Sequence, residues 1–197
     1  MNVCSVNRHE VFAPILVGYR ATGKTTVAAT LAGQFGWQSI DADDVFEQRH
    51  PGTLSEFIAT EGEPAFRREE AALLRELVKQ ADRVLATGGG VVLREENRRL
   101  LKQTARPIIW LTASAAAIRN RLAADPATAQ RRPALTGSDV FDEVEQALTV
   151  REALYREVAD VMFDTESMSL EALGTTIASW LAKRLPTAGG LREEENL

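Results

Sequence analysis

Gly18-Tyr19-Arg20-Ala21-Thr22-Gly23-Lys24-Thr25 follows the apolar run Ala13-Pro14-Ile15-Leu16-Val17 and leads into Thr26-Val27-Ala28-Ala29-Thr30-Leu31-Ala32-Gly33-Gln34-Phe35. The spacing is G-x-x-x-x-G-K-[ST], set between a strand signal and a helix signal. Phosphate oxygens need donors that converge on a point, and glycine lets the chain wrap closely enough to turn successive backbone N–H groups inward. A helix opening at Lys24 adds unpaired N–H groups and the positive end of its dipole. The Lys24 ammonium can reach β- and γ-phosphates, and the Thr25 hydroxyl suits Mg²⁺. A nucleotide site is expected, built from Gly18, Tyr19, Arg20, Ala21, Thr22, Gly23, Lys24, Thr25 and Thr26.

Outward from this stretch, strand and helix signals alternate. The first strand is expected over about residues 12–17, and Val27, Leu31 and Phe35 give the following helix one apolar face, with Gly36 placed to end it. Trp37 to Asp41 reads as a second strand, followed by a short helix that breaks at Pro51-Gly52. Thr53-Leu54-Ser55-Glu56 is a capping box, and a longer helix from Glu63-Pro64 to about Gln80 buries Phe66, Leu73, Leu74 and Leu77. Strands are expected at Val84-Leu85-Ala86, at Pro107 to Leu111 and at Val161-Met162-Phe163. Between and after them come helices near 94–103, after the N-cap Ser114, over about 139–158 (burying Val140, Val144, Leu148 and Tyr155) and through Leu170, Leu173, Ile177 and Leu181. Trp37, Trp110 and Trp180 read as core, and His9 and His50 as solvent-exposed.

This alternation implies an α/β fold: a three-layer, doubly wound, five-stranded parallel sheet of the P-loop kinase type, strand order 2-3-1-4-5. The expected organisation is a single domain over 12–185, with substrate-binding helices at about 43–80, a lid at about 125–138, and loose termini at 1–11 and 186–197. A net charge of −5 supplies no basic field for nucleic acid. Cys4 is the only cysteine, which excludes an intrachain disulfide and a cysteine metal cluster. No apolar run approaches a membrane span, and Met1 to Glu10 lacks a signal-peptide core, so a cytoplasmic enzyme is expected.

Ligands of such sheets sit beyond the carboxyl ends of the strands, which places Gly18–Thr25, Asp41–Asp43 and Gly88–Gly90 on one rim. In an extended segment Asp41 and Asp43 would share a side; one could hold Mg²⁺ through water while the other accepts a proton from a substrate hydroxyl. They could equally serve only to cap the next helix, a role expected of Asp44. Arg67 and Glu70, three apart on a helix, can lock a guanidinium in a pose that matches a carboxylate bidentately. Gly88, Gly89 and Gly90 permit close backbone approach to a small ligand, and Arg132 would neutralise charge on a γ-phosphate.

Together these residues resemble the shikimate kinases over roughly residues 13–165. The resemblance is carried by the phosphate loop, Asp41-x-Asp43, Phe66-Arg67-Arg68-x-Glu70, Gly88-Gly89-Gly90, Arg132-Pro133, and Arg151 before Ala153-Leu154-Tyr155. It implies transfer of the ATP γ-phosphate to the 3-hydroxyl of shikimate by a monomer, with Mg²⁺ as the metal. It also implies that Asp43 holds the ring hydroxyls and acts as base, alongside Lys24 and Arg132 as catalytic groups. Arg67 and Arg151 would grip the carboxylate beside Gly88, Gly89 and Gly90, with Glu70 orienting; Thr25 and Asp41 (through water) would serve Mg²⁺, and Arg121 would lie against adenine. Two departures stand out: Ala21 occupies a loop position where relatives often have glycine, and the lid is longer than expected. A kinase of another hydroxy acid such as gluconate would keep Gly18–Thr25 without requiring Arg67, Gly88–Gly90 and Arg151 together, and a non-catalytic sensor of nucleotide or shikimate is opposed by the intact Lys24, Asp43 and Arg132.

Overall fold

The computed structural model describes residues 12–124 and 140–184. The expected lid with Arg132, the two termini, His9 and the side chain of Val140 lie outside the described residues. Five strands, β1 (Ile15–Val17), β2 (Gln38–Asp41), β3 (Arg83–Ala86), β4 (Ile108–Thr112) and β5 (Val161–Asp164), form one sheet in the order β2-β3-β1-β4-β5. Every pairing is parallel, with Ile15 opposite Leu85 on one side and Ile108 on the other. Eight α-helices are seen among the described residues: α1 (Lys24–Phe35), α2 (Ala42–Arg49), α3 (Leu54–Glu61), α4 (Glu63–Leu77), α5 (Glu95–Gln103), α6 (Ala115–Ala124), α7 (Val140–Val158) and α8 (Leu170–Ala182).

Side-chain alternation along β1 splits the core in two. Ile15 and Val17 join Phe46, Leu54, Phe66, Leu74, Leu77, Leu101 and Tyr155 under α2–α5 and α7. Leu16 faces the other way, onto Val27, Leu31, Leu173, Ile177 and Leu181 of α1 and α8. With both faces covered, the central strands are apolar throughout rather than alternating. The local signals act as anticipated at several ends. Thr53 and Glu56 form a reciprocal capping box on α3, Gly36 ends α1 at φ 68°, and Ser114 Oγ accepts from Ala117 N at 3.1 Å on α6.

Other expectations require correction. The helix cap before α2 is Asp41, whose side chain accepts from Asp43 N, whereas Asp44 lies inside the first helical turn. A helix therefore begins at Ala42, and Asp41 and Asp43 are not neighbours along an extended strand. His50 is not simply solvated: its ring lies 4.4 Å from Phe46 and 4.8 Å from Phe57, centroid to centroid. Trp37 and Trp180 are only partly buried, as is Leu148, because each sits on the rim of its cluster. A 3₁₀ turn at Val91–Leu93, unannounced by any periodicity, follows the glycine run.

Opposite the rim where ligands are expected, Arg106 ties the layers together. Its side chain, 3% exposed, donates Nε to Ala13 O at 2.8 Å, Nη1 to Leu77 O and Val78 O at 3.2 and 3.3 Å, and Nη2 to Pro14 O and Arg83 O. These carbonyls belong to the approach to β1, the end of α4 and the start of β3. Burial lowers the Arg106 pKa to about 10, so the group is still cationic at neutral pH. Arg106→Met keeps apolar bulk but strips donors from several buried carbonyls, and is expected to cost about 3–4 kcal/mol, read as a lower urea midpoint at unchanged m-value.

Candidate active site

The phosphate loop turns sharply between β1 and α1. Gly18 adopts φ +147°, and a Cβ there would lie 2.2 Å from Leu111 O, so the loop presses directly on β4. Gly23, at φ 87°, starts α1 in the left-handed region. Ala21 has φ 60° and is the non-glycine residue with positive φ among those described, a conformation that costs an L-residue about 1 kcal/mol. Inside the turn, Lys24 Nζ donates to Gly18 O at 2.9 Å and Tyr19 O at 2.7 Å, while Thr22 Oγ1 donates to Tyr19 O at 2.8 Å. Lys24 is 8% exposed, so its ammonium is held beneath the loop rather than in bulk solvent.

At the start of α1, Thr25 Oγ1 donates to Asp41 Oδ2 at 2.6 Å. The other carboxylate oxygen, Oδ1, accepts from Asp43 N at 2.9 Å. Asp41 thus joins β2 to both α1 and α2, and it is this cap, not strand alternation, that keeps Asp43 beside it. Burial pushes the Asp41 pKa above its ordinary value, and the neighbouring Asp43 charge adds to the rise; the bonds from Thr25 and Asp43 N oppose it. Asp43, with Phe46, Phe66, Glu70, Thr87 and Gly88, borders a small cleft between α2, α4 and the turn after β3.

That turn carries the three glycines. Thr87 bonds Leu16 O through both its N–H (3.1 Å) and its hydroxyl (2.9 Å), fixing the strand end. Asn97 Nδ2 donates to Val91 O at 2.9 Å and Arg98 Nη1 to Val92 O at 2.9 Å, holding the far side. A Cβ on Gly89 would lie 3.0 Å from Arg20 N, and one on Gly90 would lie 2.2 Å from Arg67 Nη1. A side chain at Gly89 would press on the loop backbone, and one at Gly90 would force the Arg67 guanidinium out of its present pose.

Two guanidinium groups converge on this turn. Arg67 donates Nη1 to Glu70 at 2.9 Å, and Nη2 and Nε to Glu63 at 3.0 and 3.3 Å, which engages three of its five N–H groups. Burial works against its charge, but Glu70 and Glu63 outweigh it and raise the Arg67 pKa. Arg151, from α7, donates Nη1 to Gly89 O at 3.3 Å, and Tyr155 OH donates to the same carbonyl. The expected Arg67–Glu70 pair is present. The part of Glu63, one turn earlier, is not among the expectations, although its i,i+4 spacing to Arg67 is visible in the sequence.

Arg121 joins the phosphate loop to the segment that follows β5. Its Nη1 donates to Ala21 O at 3.1 Å and Thr165 Oγ1 at 2.9 Å, and its Nη2 to Thr165 O at 3.0 Å. Thr165 in turn donates to Thr112 O. The side chain thereby anchors the phosphate loop to the β5 end, and through Thr165 to the β4 end. Sequence patterns do not single out Thr165, Tyr155, Asn97 or Arg98 for these roles, because their partners are distant in the chain or carry no pattern.

Among the described residues no helix is long and apolar enough to cross a membrane, and no three His, Cys, Asp or Glu side chains cluster as a metal site. The family model for shikimate kinase matches residues 20–185. A shikimate kinase of Rhodopirellula baltica is 40% identical over 162 residues, 82% of this chain and 86% of the relative. Shikimate kinase 2 of Yersinia pestis is 42% identical over 156 residues, 79% of this chain and 88% of the relative. Among solved structures, the shikimate kinase of Acinetobacter baumannii in complex with shikimate superposes with TM-score 0.81 at 30% identity, covering 89% of this chain and 96% of that one. The phosphate loop, the Asp41–Thr25 corner and the arginine-flanked glycine turn therefore sit in a chain that belongs to the shikimate kinase family.

Proposed function

We propose that this chain transfers the γ-phosphoryl group of ATP to the 3-hydroxyl of shikimate, giving shikimate 3-phosphate and ADP. The observation that carries the proposal is the meeting of Arg67 and Arg151 on adjacent glycines of a turn that itself touches the phosphate loop. A ring acid gripped by two guanidinium groups there has its hydroxyls toward Asp43, and the phosphate loop lies alongside. The acceptor oxygen attacks the γ-phosphorus, the bond from that phosphorus to the ADP oxygen breaks, and the hydroxyl proton passes to the Asp43 carboxylate. Lys24 exchanges its contacts with the loop carbonyls for phosphate oxygens. Arg132, outside the described residues, is assigned to the transferred group from its Arg132-Pro133 pattern.

Thr25 and Asp41 fit a divalent cation: two hard oxygens 2.6 Å apart at a helix N-terminus, with Asp41 already short of compensating positive charge. Mg²⁺ is the ion proposed; when bound it supplies charge neutralisation on the β- and γ-phosphates. Gly18, Tyr19, Arg20, Ala21, Thr22, Gly23 and Thr26 offer their backbone to the nucleotide, and Arg121 its side chain. Action as a monomer in the cytoplasm, as one domain spanning 12–185, completes the proposal.

Three measurements check it. The purified chain with ATP, Mg²⁺ and shikimate should release ADP only when shikimate is present; shikimate-independent or absent ADP formation contradicts the assignment. Arg67→Lys loses the planar fork and should raise the shikimate KM about tenfold or more while moving the ATP KM far less. Asp41→Asn tests the buried carboxylate. A raised native pKa favours the neutral acid in the fold, so ionisation costs stability as pH rises through that pKa. In metal-free buffer the Tm advantage of the Asn variant should be small in the ordinary carboxylate range, grow as pH rises and level off once the raised native pKa has been passed. A pH-independent difference rejects that account of Asp41.

A further inference from the structure

The two acid-gripping arginines each stand over a ring, Arg67 at 5.0 Å from the Phe66 centroid, but they differ in their carboxylates. Arg67 lies between Glu63 and Glu70, so its direction is fixed by carboxylates that also cancel its charge. Arg151 has no carboxylate partner among the described residues; its guanidinium carbon stands 5.2 Å from the centroid of the Tyr19 ring, and its Nη1 reaches Gly89 O. A ring face and a carbonyl orient a cation while leaving its full charge for an incoming anion. Tyr19 belongs to the phosphate loop and is 2% exposed.

We propose that Tyr19 is a positioning residue for the acid substrate: its ring, anchored in the phosphate loop, holds the Arg151 guanidinium over Gly89 with its charge uncancelled by any described carboxylate. This rests on the function proposed above and adds to it a residue that the nucleotide motif would assign to ATP alone. The anchoring is firm, because Tyr19 O accepts from both Lys24 Nζ and Thr22 Oγ1, and Gly89 backs directly onto the Tyr19 carbonyl carbon, with a Cβ there only 3.4 Å away. Core filling does not by itself require an aromatic side chain at this position. The residue packs with Ala113, Ile118, Leu122 and Val144, where an aliphatic group would serve, and it also borders an open cavity with Trp110 and Leu148. The Arg20 guanidinium also stands near the ring, at 5.7 Å, so the same π surface lies between a cation of its own loop and one from α7.

An arginine on a helix face has many rotamers, and ordering it only when substrate arrives weakens binding. A ring that pre-orders it therefore lowers the shikimate KM without touching the nucleotide. The test is steady-state kinetics on the full chain with ATP, Mg²⁺ and shikimate, comparing wild type, Tyr19→Leu, Tyr19→Met, Tyr19→Phe, Arg151→Met and the Tyr19→Leu/Arg151→Met double variant. Leucine or methionine should raise the shikimate KM about three- to thirtyfold with the ATP KM within about twofold, and phenylalanine should restore it. In the Arg151→Met background, Tyr19→Leu should have almost no further effect on that KM.

Equal rises in both KM values, a fall in kcat alone, or additive effects in the double variant would overturn the role of Tyr19. So would an unchanged shikimate KM in Tyr19→Leu and Tyr19→Met while Arg151→Met raises it. If Arg151→Met itself leaves the shikimate KM unmoved, the assignment of Arg151 to the acid fails instead, and the two failures are distinguishable.

Discussion

Backbone-to-backbone contact between two turns sets the geometry of this site. Gly89 lies so close to the phosphate loop that a Cβ would stand 3.0 Å from Arg20 N. The phosphate loop and the glycine turn are thus packed backbone against backbone at the carboxyl ends of β1 and β3. Parallel pairing of these strands, with Leu16 opposite Ala86, brings the turns to the same height. Asp41, paired with Ala86 from β2, arrives at that height too. Register in the sheet thus becomes registry among three segments at the rim where ligands are proposed to bind, which is why a topology rule about strand ends locates them.

Much of this is legible in the sequence. The G-x-x-x-x-G-K-[ST] spacing, the apolar stripe of α1 and the capping box at Thr53 are local, and local patterns specify local structure. The sheet order follows from strand–helix alternation together with the resemblance. What the sequence hides is non-local or conformational. Arg106 bonds to Ala13 O, 93 positions away, and nothing in the spacing of an arginine announces five carbonyl partners. Tyr155 and Asn97 hold the glycine turn through backbone oxygens, which have no sequence signature at all. Asp41 and Asp43 are neighbours, as expected, but for a different reason: a helix cap joins them, where strand alternation was the expectation.

Ala21 shows how a departure from pattern can be absorbed. Its φ of 60° is one that glycine adopts freely, yet here a methyl group is carried through the turn. Arg121 Nη1 bonds the Ala21 carbonyl at 3.1 Å, and the methyl lies against the cluster containing Ile118 and Leu122. One face of α6 therefore supplies both a hydrogen bond and an apolar contact to the strained residue, and strain of about 1 kcal/mol is of the size that such contacts offset. The link also makes the loop conformation depend on α6, which a glycine at this position would not require.

The distribution of charge gives the proposed acceptor side two unlike arginines. A guanidinium flanked by Glu63 and Glu70 is an oriented donor with little net charge, suited to fixing the angle of a planar carboxylate. Glu70 is buried, and its Oε1 has no hydrogen-bond partner among the described residues, so burying the pair carries a cost in stability. On the proposed reading, a second cation without a carboxylate partner among the described residues attracts and neutralises the acid, and Arg151 has that character. Two carboxylate-paired arginines would aim well and bind weakly. Two uncompensated ones at neighbouring glycines would repel each other and the lysine of the phosphate loop. One of each gives direction from α4 and charge from α7, with the glycine turn between them as the common surface.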